Sequence, residues 1–179
     1  TFSYKFFDDK TPQLNDIRFR NAVNFNGVNY KQDNNSKSTE QTMQLDYVNP
    51  FKAITVEAGI KAILRSSESN FQFLGYNATL NDYVIDPTQS NVYSNDQNIY
   101  GVYNTYILKL KDWTFKAGAR LEATDVTGLF ESTNSSVKTN YFNIIPSVSF
   151  NKTLKDSQSF SLGFTQRIQR PGIWNLNPF

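Results

Sequence analysis

Residues 113–124 read WTFKAGARLEAT, and every second position is apolar: Trp113, Phe115, Ala117, Ala119, Leu121 and Ala123 alternate with Thr114, Lys116, Gly118, Arg120, Glu122 and Thr124. A period of two marks a β-strand with one apolar and one polar face. Residues 54–65 repeat it, with Ile54, Val56, Ala58, Ile60, Ala62 and Leu64 set against Thr55, Glu57, Gly59, Lys61 and Arg65, Ile63 being the exception. In residues 141–151 (YFNIIPSVSFN), Phe142, Ile144, Pro146, Val148 and Phe150 fall on one side and mostly polar residues on the other. Phe160, Leu162, Phe164 and Ile168 face away from Ser161, Gly163, Thr165 and Arg167, and Met43, Leu45 and Tyr47 make a shorter row. Less regular strands are expected over residues 1–7, 17–31 and 98–110. Residues 49–52, 111–112 and 155–157 read as short turns, and residues 67–96 and 127–138 as long polar loops.

Composition narrows what such strands build. The 179 residues include 15 Phe and 10 Tyr but a single Met, and no run approaches the ~18–20 apolar residues of a membrane helix. The fold class is therefore all-β. A negative mean hydropathy does not exclude the membrane, because barrel strands hide their apolar residues at alternate positions. The net charge of +2 comes from bases scattered through the strands, which leaves no electrostatic footprint for nucleic acid. The absence of Cys forbids disulfides and thiolate metal sites.

A soluble β-sandwich also alternates, so the polar face must discriminate. Glu57, Lys61, Arg65, Lys116, Arg120, Glu122 and Arg167 would form a charged inner wall if the apolar sides meet lipid, and merely a solvated outer face in a sandwich. Tyr47, Phe51, Trp113 and Phe115 stand near the short turns, where an interfacial aromatic girdle belongs. Short turns at one end and long loops at the other match the periplasmic and outer ends of an outer-membrane barrel, and strands of ~10–13 residues tilted by about 40° span its ~25 Å apolar band. The pattern favours a barrel.

Catalysis is not expected. With neither His nor Cys, triads and His-ligated metals are unavailable. Glu57 and Glu122 are the one carboxylate pair of interest, and salt bridging to Lys61, Lys116 and Arg120 is their simpler use. No cofactor is implied. Residues 66–96 carry Phe71, Phe73, Tyr76, Tyr83, Tyr93, Asp82, Asp86 and Asp96, rings and carboxylates suited to a sugar, a peptide or a chelated metal; the competing reading is a packed loop with solvated acids. The Asp spacing lacks the glycine and terminal Glu of a calcium loop. The glycosylation-like triplets at Asn77, Asn134 and Asn151 are expected by chance in so Asn-rich a chain.

Three segments, GARLEATDVTG (residues 118–128), YFNIIPSVSF (141–150) and RIQRPGIWNLNPF (167–179), resemble the TonB-dependent outer-membrane receptors of Gram-negative bacteria, in the branch carrying an Arg-x-x-Arg-Pro then Leu-Asn-Pro-Phe signature. The resemblance implies a multi-pass barrel in the cell outer membrane that binds a scarce solute, glycan or peptide outside. Import would be powered by an inner-membrane complex pulling on a plug domain. Family barrels have about 22 strands against roughly eight here, so residues 1–179 are expected to be a fragment of one β-barrel domain, without plug or energy-coupling segment. Arg120, Glu122, Arg167 and Arg170 would contact the plug or lumen, or pair locally. Tyr76, Asp82, Tyr83, Asp86, Trp174 and Asn175 would belong to the ligand loops, with Pro171 ending the last strand. Outer-membrane lipid would surround the barrel, and in water the slice would self-associate through its open edges and apolar face. The competing expectations are a complete small eight-strand barrel with a structural or adhesive role, and a soluble sandwich binding module.

Overall fold

The computed structural model describes residues 1–17, 29–154 and 158–169, the side chains of residues 11–17 excepted. Eight strands occupy these residues: β1 (Phe2–Ile17), β2 (Tyr30–Phe51), β3 (Ile54–Asn77), β4 (Asp82–Ile85), β5 (Asn91–Leu110), β6 (Trp113–Phe130), β7 (Ser135–Thr153) and β8 (Ser159–Thr165). They form one antiparallel sheet in the order β1-β2-β3-β5-β6-β7-β8, with β4 paired to the end of β3. Each long strand lies beside its sequence neighbour, the up-and-down order of a barrel wall. No β1–β8 pairing closes the sheet among the described residues.

Burial runs opposite to that of a soluble domain. Phe2, Leu45, Ile60, Val102, Leu121 and Ile144 make a continuous cross-strand row, and all six are exposed. On the other face the buried side chains are mostly polar: Thr42, Ser69, Asn91, Asn95, Gln97, Glu122 and Thr124, against Tyr93, Ile99 and Ile145. A sandwich would bury the apolar rows against a second sheet, and the described residues form one sheet only. The exposed rows are a lipid-facing surface.

That surface has a measurable height. On β3 it runs from Ile54 to Leu64. At ~3.3 Å per residue and a tilt of about 40°, those ten steps rise ~25 Å, the thickness of the apolar band of the outer membrane. Trp113 stacks on Phe115 at a centroid distance of 5.8 Å, and Phe150 meets both Trp113 and Phe160, giving the band an aromatic edge beside the short turns.

The turns at that end are tight. Lys52-Ala53 joins β2 to β3 and Lys111-Asp112 joins β5 to β6. Lys52 and Lys111 adopt φ of 53° and 49°, the left-handed conformation that hairpin turns matching strand twist require at their first position. Residues 155–157 lie outside the described set, though the strands flanking them are antiparallel neighbours.

Three sequence expectations are corrected. A single strand over residues 17–31 does not form: Ile17 and Tyr30 face each other on adjacent antiparallel strands, and the residues between them lie outside the described set. Most of the expected loop over residues 67–96 is strand, β3 continuing to Asn77 and β5 starting at Asn91, and the loop at 127–138 shrinks to a turn at 131–134. The cause is common to both. Ladder hydrogen bonds come from the backbone and continue past the lipid, whereas the apolar alternation that reveals a strand stops where the lipid stops.

Pro146 marks the other end of pairing. Its carbonyl accepts a hydrogen bond from Gln166 N at 3.3 Å, and β8 ends one residue earlier, at Thr165. A proline offers no donor to prolong that ladder.

Candidate functional site

The polar faces of β2, β3, β5, β6 and β7, with the end of β8, line a groove of about 620 Å³ on the concave side of the sheet. Alternation puts Glu57, Lys61, Tyr103, Lys116, Arg120 and Glu122 there, and the chain just past β8 adds Arg167. Small residues keep the groove open. Tyr103 lies flat over Gly59, where any Cβ would overlap the ring, and its hydroxyl donates to Asp46 on β2. At Gly118 a Cβ would stand 2.7 Å from the Asn104 carbonyl oxygen.

Ion pairs stitch the wall across strands. Lys116 Nζ reaches over β5 to Glu57 Oε2 at 3.2 Å. Arg120 Nε meets Glu122 Oε1 at 2.9 Å, with the Glu122 side chain 8% exposed and that of Arg120 48%. Higher on the wall, Arg65 donates from Nε to Glu40 Oε2 at 2.6 Å and from Nη1 to Gln97 Oε1 at 3.0 Å, linking β2, β3 and β5. Glu57 and Glu122 thus each hold a cation, the arrangement of a charged wall and not of an acid-base pair. Lys61 and Arg167 line the groove without an ion pair among the described residues. The groove therefore carries four cations against two carboxylates.

Amide and hydroxyl side chains fill the same face from the level of Glu122 outward, beginning with Asn143 opposite Glu122 and Thr124 opposite Ile99. Buried side-chain atoms with no hydrogen-bond partner gather here: Asn91 Nδ2, Asn95 Oδ1, Thr124 Oγ1 and Asn143 Nδ2. All four residues belong to the concave face, and Thr124 is only 1% exposed. Unmade hydrogen bonds of this kind cost roughly 1–3 kcal/mol each. Tyr30 stacks on Phe73 at 5.0 Å and Tyr93 packs on Phe130 at 4.6 Å toward the outer end.

The expected ligand-loop residues divide. Tyr76 and Tyr83 meet edge to face at 5.4 Å, Lys31 Nζ lies 4.2 Å from the Tyr83 centroid, and Tyr76 Oη donates to Asn81 Oδ1 at 2.7 Å. Asp86 instead organises its own turn: its carboxylate accepts from Thr88 N at 2.9 Å, Thr88 Oγ1 at 2.6 Å and Gln89 Nε2 at 2.9 Å. Those bonds, from the Thr88 hydroxyl first, hold its carboxyl below the usual carboxylate range. Asp82 accepts from the Tyr83 backbone N–H at 2.7 Å. Arg120, Glu122 and Arg167 are brought together in the groove; Arg170, Trp174 and Asn175 lie outside the described residues.

Sequence reasoning missed the Tyr103–Asp46–Gly59 contact and the Glu40–Arg65–Gln97 bridge, because both depend on strand register. The one advance signal was a glycine inside a strand, which marks a close approach by another group. Among the described residues no group of three His, Cys, Asp or Glu is placed to hold a metal ion.

Comparison with known proteins agrees with this geometry. No curated protein matches the chain by sequence. Solved structures share its fold, two transporters among them. The ferric citrate transporter FecA in its unliganded form is similar at a TM-score of 0.61 and 12% identity, over 89% of this chain and 23% of that one. The copper transporter OprC is similar at 0.69 and 10% identity, over 97% and 28%. The chain thus spans about a quarter of the length of each. A family model described as the outer membrane protein beta-barrel family matches residues 1–179. With apolar rows turned to lipid, polar rows turned inward and that match over its whole length, the chain belongs to the outer membrane protein β-barrel family, and its place is the outer membrane.

Proposed function

We propose that this chain is part of the membrane-spanning barrel of a TonB-dependent outer-membrane receptor that binds and imports a scarce solute. The supporting observation is the open sheet. Its strands carry a ~25 Å lipid face, yet β1 and β8 do not pair among the described residues, as in a slice of a larger wall. The two transporters above, of which the chain spans about a quarter, are of that larger size. On this reading residues 1–179 are a fragment of one barrel domain, and a plug domain of the same parent chain fills the lumen. The plug lies against the cationic groove of Arg120, Glu122 and Arg167. Arg170 adds to the same contact. Tyr76, Asp82, Tyr83 and Asp86 stand at the outer end, where a solute, glycan or peptide is first met, and Trp174 and Asn175, outside the described residues, contribute to the same ligand contact. An energy-coupling inner-membrane complex acts through the plug.

The test uses the full-length parent receptor in its host, with growth on limiting iron, copper, cobalamin or oligosaccharide as the readout. Growth on one of these should fail both when the receptor is deleted and when the coupling complex is deleted. Loss with the receptor but not with the complex would refute energised import and leave a passive barrel.

A further inference from the structure

Asn104 on β5 belongs to the outward face, level with Ala58 on β3 and Ala119 on β6. The same cross-strand row continues to Tyr47 on β2 and Pro146 on β7. Ala58 is four residues from Ile54, where the apolar surface of β3 begins. At ~3.3 Å per residue and about 40° of tilt the row therefore lies ~10 Å inside the ~25 Å lipid band. The next row outward is the apolar one that runs from Phe2 to Ile144, and the one after it holds Ala62, Tyr100 and Ala123. Among the described residues of these three rows Asn104 is the one amide, and none is charged. An amide in hydrocarbon needs a partner, and this wall supplies none. Asn104 Oδ1 is buried without a hydrogen bond. Ala58 and Ala119 on either side end in methyl groups, and the neighbouring backbone N–H groups are committed to the ladders.

We propose that Asn104 marks a face through which two copies of the receptor associate within the membrane, each amide bonding to its counterpart. Two barrels inserted in the same direction pair about a two-fold axis along the membrane normal. Every residue then meets the other copy at its own depth, and a residue on the axis meets itself. A carboxamide is both donor and acceptor, so Asn104 on the axis completes itself: Nδ2 of each copy donates to Oδ1 of the other. Rotation about χ2 turns Oδ1 outward for this. Acyl chains offer no such bond, and a different protein would need a matching polar group at the same depth. Lipid-facing surfaces gain no hydrophobic force from meeting, so association rests on close packing and hydrogen bonds, which small residues at the contact permit. The methyl groups of Ala58 and Ala119 give the two walls that close approach. The inference depends on this face meeting lipid and not on solute import, so failure of one leaves the other standing.

The test places the full-length receptor, labelled with fluorescent donor and acceptor, in phosphatidylcholine vesicles and follows energy transfer as the protein-to-lipid ratio rises. Each polar contact between membrane segments is worth about 3- to 30-fold in association, and the amide pair makes two. Asn104→Leu should therefore associate at least about tenfold more weakly than wild type. Diluted in lipid, the variant should resist urea as well as wild type does, since no bond within one wall is lost. In the outer membrane, oxidation of Asn104→Cys should give a disulfide-linked dimer, which needs Cα atoms within about 7 Å. Leu162→Cys on β8, three strands away and thus ~14 Å off the axis, should not link. Heat-modifiable gel mobility confirms that each variant is folded. Equal association of wild type and Asn104→Leu would overturn the proposal, as would a wild type that stays monomeric at every ratio. So would lower urea resistance of the diluted variant, which would make the amide a structural group of one wall, or a cross-link from position 104 to a protein of another mass, which would assign the face to a different partner.

Discussion

Leu121 and Leu129 lie on one face of one strand and are similarly exposed, at 42% and 39%, so in a water-facing sheet an arginine would be equally tolerated at either. The membrane reading separates them. Leu121 belongs to the row with Ile60, and thus lies near the middle of the band that runs from Ile54 to Leu64, whereas Leu129 is eight residues further along β6. Eight residues rise about 20 Å at 40° of tilt and carry Leu129 beyond the lipid. Arginine at the midplane of a barrel's lipid face costs ~2–4 kcal/mol, and near or beyond the interface ~0–1. Leu121→Arg should therefore lower the folding equilibrium constant by roughly thirtyfold to several-hundredfold, and Leu129→Arg by fivefold at most. The assay is urea unfolding of the full-length receptor in lipid vesicles, read by heat-modifiable mobility on gels. Equal losses for the two variants would refute the placement of the lipid band.

Two further outcomes are expected. Gly59→Val places a Cβ inside the Tyr103 ring and should cost ~1–3 kcal/mol; the same vesicle assay should show most of that cost gone in a Tyr103→Ala background, and an unchanged cost there would rule out the overlap as its cause. Asp86 has a folded-state pKa below its unfolded one, so the turn stability it supplies is present above the unfolded value of about 3.9 and is lost as pH falls through the lower folded value. Amide exchange at Gln89, whose N–H bonds Asp86 O at 3.2 Å, should stay slow above about pH 4 and quicken below it relative to neighbouring strands. In Asp86→Ala that acid step should vanish, and a step that persists would place the titration elsewhere.

Within the lipid band the strands were legible in detail. Residues 54–65, 113–124 and 141–151 lie inside β3, β6 and β7 with the faces their alternation assigned, because lipid on one side and water or protein on the other force a period of two onto the residues between. Ile63, which broke the pattern, lines the groove beside Ile99 and Ile145, an inward apolar patch that alternation read as an irregularity. Beyond the band both faces meet water, no pattern is demanded, and the polar strand at residues 67–77 and 91–96 read as loop. The sequence left the Asp82 and Asp86 carboxylates between ligand binding and a packed loop, and only three-dimensional structure supplied their local partners, the Tyr83 N–H for Asp82 and Thr88 and Gln89 for Asp86.

By itself the sequence determined the fold class, the lipid face, the inward charges and the ends of the apolar band, since each follows from residue type at a fixed period. Tertiary structure alone decided which residues share a row. Register aligned Glu40 with Arg65 and Gln97, set Tyr103 over Gly59, placed Lys10 against Lys37, and left β1 and β8 unpaired among the described residues. The physical reason is that alternation constrains a strand only to even shifts: sliding it by two residues keeps every face and changes every partner.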